Sequence, residues 1–325
     1  MTSRSSSPGW HRAFDLLPLL PALYLAGRVL RGFAARIGHP FDLEWMEGGM
    51  LGHAWRLTHG LPLYPEAGPD WVPYVYPPGY PAVLAALSPV TGLDYAPGRV
   101  VSVLGVLLCC AATTWIFARR GQALVGLIVA CCFLGCWRAS GAFYDLVRPD
   151  GLAIGLLTAS IAAALERRRG AEIASGLLLF AAFAVKHHSA AFGVPLALGL
   201  WLRDGRAAAL RFGAASAGPG LLFTLAMTLA TGGRFLEYLI VVPATHPVIA
   251  RAWCPGPPAS SAAGCAPRRW RRRRGCSPRS CGCAPRCRAR CCSRCPRSPP
   301  SGPWAGCSST RRCRAWRCRR RACWR

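Results

Sequence analysis

Lysine is almost missing from this sequence: Lys186 is the one example in 325 residues. Charge of either sign is scarce, at 16%, against the roughly 25% usual in soluble domains. Beside a hydrophobic fraction of 52%, that shortage argues against an ordinary soluble globule. Acidic residues number thirteen, and none follows Glu237. The net charge of +27 is therefore unevenly distributed, unlike the basic face of a folded nucleic-acid-binding domain.

Residues 251–325 hold 21 basic residues, all Arg, and no acid. The first 250 residues keep nineteen basic and thirteen acidic residues, a net of +6, which suits a membrane protein with basic connectors. The last 75 residues use only Arg, Ala, Trp, Cys, Pro, Gly, Ser and Thr, with no Leu, Val, Ile or Phe from which to build a core. All eight types have GC-rich codons. The expectation is an out-of-frame translation that begins near Arg251–Cys254, disordered, and replacing the true C-terminal part. Thirteen of the 18 cysteines lie here, but Cys281, Cys283, Cys287, Cys291, Cys292 and Cys295 lack a recurring paired spacing for zinc, and His is absent. "RRWRRRR" (268–274) could neutralise phosphates, yet that explains none of the missing apolar residues, so no nucleic-acid partner is expected. The five remaining cysteines (109, 110, 131, 132, 136) sit in apolar runs, where Cys behaves as a small hydrophobe.

Apolar segments run over 14–37, 98–118, 123–138, 150–165, 172–185, 190–202, 212–230 and 236–250, with a shorter one at 81–90. This predicts an all-α, polytopic transmembrane bundle over residues 1–250. Arg4, Arg12, Arg119-Arg120, "ERRRG" (166–170) and "LRDGRAAALR" (202–211) mark one side as cytoplasmic. Segments then alternate if 81–90 dips in without crossing. The first segment is too long, and carries Arg28 and Arg31, to read as a cleavable signal peptide. Three regions meet outside: the loop 38–80, "RASGAFYDLVRPDG" (138–151) and "KHHS" (186–189).

A 43-residue loop exceeds what a structureless connection usually reaches, so it is expected to be functional or locally folded. Within it, 44–60 predicts an amphipathic surface helix with Trp45, Met46, Met50, Leu51, Trp55 and Leu57 on its apolar face. "DWVPYVYPPGYP" (70–81) supplies aromatics, Tyr76 among them, that could stack on a sugar or simply stiffen the loop.

"FDLEWMEGGM" with "GLPLY" and "YVYPPGYP", then "YDLVRPDGLAIGL" (144–156) and "GGRFLEYLIVVPATHP" (232–247), resembles the polytopic C-type glycosyltransferase superfamily, nearest its protein O-mannosyltransferase and aminoarabinose-transferase branch. The resemblance covers residues 13 to about 250. It implies a bacterial plasma-membrane enzyme that transfers a sugar, usually with inversion, from a polyprenyl-phosphate carrier on the extracytoplasmic side. It also implies an acid just after the first span and a second in the next outer loop. Asp42 matches the first, as general base, with Glu44 its alternative, and Asp150 matches the second. The family's commoner adjacent Asp-Glu pair is replaced by Asp42-Leu43-Glu44, so both acids stand.

The chemistry asks for the same groups. An attacking hydroxyl must give up its proton, which a carboxylate can accept. The leaving phosphate needs cations more than an acid. Arg148, Lys186, His187 and His188 are the candidates for donor binding, and a divalent ion held by carboxylates and His would serve the same end. The expected partners are the lipid-linked donor and membrane lipid, with the acceptor open.

Plainer readings stand beside these. Glu47 suits the N-terminal end of the surface helix. Arg148 and Asp150 could merely pair, and Lys186, like Arg28 and Arg31, could merely snorkel to the interface. His53 and His59 are expected to face solvent. A transporter or flippase of lipid-linked sugars is the alternative function, but it predicts Gly/Pro-broken helices in two repeated halves, and no such repeat is visible. A chain inactive for want of its C-terminal part is the third.

Overall fold

The computed structural model describes residues 17–245 apart from 67, 69, 70 and 72. Arg4, Arg12, Asp70 and the whole Arg/Cys/Pro-rich tail, 251–325, lie outside the described residues. Those described form helices and connecting loops, with no strand among them.

The order is α1 (Leu19–Ile37), α2 (Met46–Thr58), α3 (Gly79–Thr91), α4 (Tyr95–Ala118), α5 (Ala123–Gly135), α6 (Pro149–Leu165), α7 (Ala171–Val185), a 3-10 turn His187–Phe192, α8 (Gly193–Asp204) and α9 (Arg206–Ala230). A last helical stretch follows, Arg234–Leu236, π-helical Glu237–Val241 and Val242–Ala244. Two helices are long and apolar enough to cross a membrane, α4 with 24 residues and α9 with 25. α5, α6 and α7 are shorter apolar helices. α1, whose nineteen residues include Arg28, Arg31 and Arg36, is not among the two. α3, thirteen residues, rises only about 20 Å against a hydrocarbon thickness of about 30 Å.

Local chemistry sets the boundaries. Asp94 caps α4 by accepting from Tyr95 N at 2.6 Å. Pro149 opens α6, where its missing N–H is no loss, and holds Arg148 extended before it. The Arg-rich stretch 202–211 is largely helical: only Gly205, at φ 87°, separates α8 from α9. Arg and Ala favour helix, so α9 starts six residues before its apolar run.

In space, α1 packs on α5, α5 on α4, α4 on α6, α6 on α7, and α7 on α9, with α8 beside α9. α2 and α3 pack on each other and, through Met46, Met50, Tyr80 and Leu84, on Val101, Val147 and Val185. Leu63 and Tyr64, after α2, join Phe235, Tyr238 and Leu239 of the last stretch. α2 is amphipathic, but its buried face runs through Met46, Met50, His53 and Ala54, while Trp45 and Trp55 are exposed. The two tryptophans therefore do not lie on one face with Met46 and Met50, as the expected single apolar face required.

The polar ends of this assembly differ. Arg119, Glu166, Arg203, Glu172 and Arg211 meet at one end through ion pairs and carbonyl contacts. The segments 38–45 and 143–150 meet with Lys186 at the other.

Candidate functional site

The site is assembled around an ion pair that the sequence reading did not contain. Arg99, at the start of the second turn of α4, and Glu47, in the first turn of α2, have fully buried side chains. Arg99 Nε donates to Glu47 Oε1 at 2.9 Å and Nη2 to Oε2 at 2.8 Å. Nη1 donates to the carbonyls of Arg36, Ile37 and His39, and Nη2 to that of Phe41. These include carbonyls at the C-terminal end of α1, where no intrahelical donor remains. Glu47 also accepts from Leu43 N at 2.7 Å and Val147 N at 2.9 Å. One carboxylate thus ties the loop after α1 to the loop before α6. Glu47 does stand at the start of α2, but it is a buried cross-link and not a solvated N-terminal charge. Burial pushes its pKa up, and the bonds from Arg99, Leu43 and Val147 outweigh burial, leaving it below the ordinary value.

Beside this anchor runs a chain of alternating charges. Glu44 Oε2 lies 3.1 Å from Arg148 Nη1, Arg148 Nε donates to Asp150 Oδ2 at 3.0 Å, and Lys186 Nζ donates to Asp150 Oδ1 at 2.5 Å. Arg148 is buried, with its guanidinium 4.2 Å from the Phe143 ring centre. Burial alone would weaken its charge, but Asp150 and Glu44 more than compensate. Lys186 sits in the extended link after α7, with Nζ 5.6 Å from the Tyr76 ring centre. Tyr76 is itself fixed by its carbonyl, which accepts from the Tyr64 hydroxyl at 2.6 Å. Glu44, Arg148, Asp150, Lys186 and Tyr76, drawn from four separate segments, are thus brought together.

Asp42 stands at the solvent edge of the group. It is exposed, and Oδ1 accepts from Gly48 N at 2.8 Å, while Glu44 Oε2 accepts from Met46 N at 3.0 Å. Both acids therefore help satisfy the free N–H groups at the start of α2. Glu44 is also neutralised by Arg148; Asp42 has no cation within ion-pair distance among the described residues. Tyr74, not singled out in the sequence, lies by both acids: burial, then the charges of Glu44 and Asp42, push its phenol up to about 12.

His187 and His188 do not join the charged chain. Their rings pack at 4.1 Å on each other, and His187 Nδ1 is buried without a hydrogen-bond partner. Burial and the nearby charges of His188 and Lys186 bring the His187 pKa down to about 4, so it is neutral at pH 7. His53 departs from expectation. It is buried, its Nδ1–H donates to Gly49 O at 2.7 Å, and Nε2 accepts from Tyr74 N at 3.1 Å. Its ring lies between Trp71 and Tyr74, and burial lowers its pKa to about 4. His59 is exposed, as read from the sequence. A second buried acid, Asp145, accepts from Trp137 Nε1 at 3.1 Å and lies 3.2 Å from Arg36 Nε.

No family model, curated protein or solved structure matches this chain.

What the arrangement can do chemically follows from its own groups. Among the described residues, no three His, Cys, Asp or Glu side chains are grouped to hold a metal ion. Glu44 and Asp150 are paired with Arg148 and Lys186, while Asp42 is not paired with any cation among the described residues.

Proposed function

We propose that the chain is a multispanning membrane transferase that moves a sugar from a polyprenyl-phosphate carrier to an acceptor hydroxyl on the extracytoplasmic face. The observation that carries this reading is the contrast between neighbours: Asp42, exposed and unpaired with any cation among the described residues, beside two cations held only by carboxylates. In this reading α2 lies on that face, the short α3 dips into the bilayer from the same side, and α4 and α9 cross it.

In this reading the acceptor oxygen attacks the anomeric carbon while Asp42 takes its proton. The bond from that carbon to the phosphate oxygen breaks, and the electron pair leaves with the phosphate. Lys186 and Arg148, held in place by Asp150 and Glu44, donate to the phosphate oxygens as negative charge develops on them. Glu44 is then a holder of Arg148 and Asp42 the base. Tyr76, against Lys186, is placed to stack on the transferred sugar.

The test is transfer from a radiolabelled lipid-linked sugar by membranes carrying the full chain. Lys186→Gln should raise KM for the donor about tenfold or more, the expected effect of losing one charge-assisted contact. An unchanged donor KM contradicts the role given to Lys186. Donor movement across the bilayer without any transfer would identify a flippase instead.

A further inference from the structure

The end of the molecule opposite the acid cluster gathers eight arginines on three connectors: Arg119 and Arg120, Arg167 to Arg169, and Arg203, Arg206 and Arg211. Each of the three acids there is already taken. Glu166 pairs with Arg119 at 3.1 Å, Glu172 with Arg211 at 2.6 Å and Asp204 with Arg203 at 2.5 Å. Arg120, Arg167, Arg168, Arg169 and Arg206 have no carboxylate within ion-pair distance among the described residues, and all five are exposed. Positive charge left over on this scale calls for an anion.

The shape says which kind. Arg119, Arg120, Arg167 and Trp115 line a cleft of about 240 Å³. Trp115 is half-exposed, and its indole N–H donates to Glu166 at 2.9 Å. It also forms part of a second cleft, about 670 Å³, lined by Leu23, Leu30, Ala111, Leu127 and Leu134 between α1, α4 and α5. The basic cleft and the apolar one thus share Trp115, on one of the two helices long and apolar enough to cross a membrane. A free phosphate or a nucleic acid would use the first cleft and leave the second empty. An anionic phospholipid fills both.

We infer that this end carries a binding site for an anionic phospholipid, with its phosphate between Arg120 and Arg167 and an acyl chain in the apolar cleft behind Trp115. Arg119 stays on Glu166 and holds the indole in place. Basic pockets between helices at a membrane face are well matched to such headgroups. The inference rests on the chain lying in a bilayer and is independent of sugar transfer, so a lipid-selective chain without transferase activity would leave it standing.

The experiment uses the full chain in neutral detergent micelles and follows tryptophan quenching by phosphatidylglycerol with a brominated acyl chain. The same brominated chain on phosphatidylcholine is the comparison. Phosphatidylglycerol should bind at least about tenfold more tightly, and Arg120→Gln with Arg167→Gln should remove that preference, as expected for two arginines near a lipid phosphate. Trp115→Phe should remove most of the quenched emission, and Arg138→Gln, at the other end, should change nothing. Equal binding of the two lipids overturns the inference. So does displacement of the lipid by inorganic phosphate or by an RNA oligonucleotide at concentrations similar to the lipid's own, which would mark a site for free anions or nucleic acid.

Discussion

Arg99 and Glu47 are both fully buried, so removing either side chain strands the other's charge in apolar surroundings. Arg99→Leu or Glu47→Gln should therefore cost about 3–5 kcal/mol of stability, read by thermal or denaturant unfolding in detergent. Several groups also make stability fall in acid, His53, His187 and Glu47 among them. His53 has its pKa lowered from 6.5 to about 4, so the fold favours its neutral form. Its contribution is fully present above pH 6.5 and is lost as pH falls from 6.5 towards 4. Glu47, lowered from 4.5, adds stability above that value and loses it at lower pH, once the carboxylate protonates in the fold. The melting midpoint should drop in two stages; His53→Gln should shrink the upper one, and removing it needs His187→Gln as well, because the pKa of His187 is lowered over the same range. Asp42, Glu44, Arg148 and Asp150 were legible in the sequence because they stand as charges at the ends of apolar runs. Arg99 was not, because it opens such a run and its partner lies 52 residues away. The one available signal was the cost of a charge among apolar residues, which demands a partner.

At the scale of elements, α4 and α6 approach until backbone meets backbone. A Cβ added at Gly105 would lie 2.5 Å from the carbonyl of Gly151 and from the Leu152 Cα, and one at Gly151 would lie 2.5 Å from the Ser102 carbonyl oxygen. Close approach of this kind is how apolar helices gain packing where no hydrophobic drive separates them from lipid. Gly105→Val should destabilise by about 1–3 kcal/mol or more, since neither backbone can yield as a side chain would. Unfolding midpoints of that variant beside Gly199→Val, which meets nothing within 4 Å, make the comparison. The apolar runs located α4 to α9 and several of their ends, at 118, 123, 165, 185 and 230, but placed the starts of α4, α8 and α9 and the end of α5 three to six residues away. Hydropathy reports which residues avoid water, whereas Asp94, Pro149 and Gly205 set the boundaries through capping and dihedral angle. The apolar face expected of α2 is too wide: Trp45 and Trp55 lie about 100° or more around the helix from Met46 and Met50, and they are exposed while the methionines are buried.

For the whole molecule, charge is sorted by end. Residues 38–45 and 143–150, with Lys186, form a balanced cluster of acids and cations, while the opposite end has arginines in excess. That sorting is the basis for setting the chain in a bilayer with the acids outside. The residues beyond 245 bear on the account through their codons: another frame continuing into Leu- and Val-rich spans after codon 250 is expected, and a single open frame there would refute the proposed slip. Most direct for the central claim is transfer of a radiolabelled sugar from its lipid carrier by the full chain and its Asp42→Asn variant. A carboxylate acting as base predicts that kcat falls about 10²- to 10⁴-fold, with donor KM little changed. Transfer at the parent rate by Asp42→Asn would contradict it.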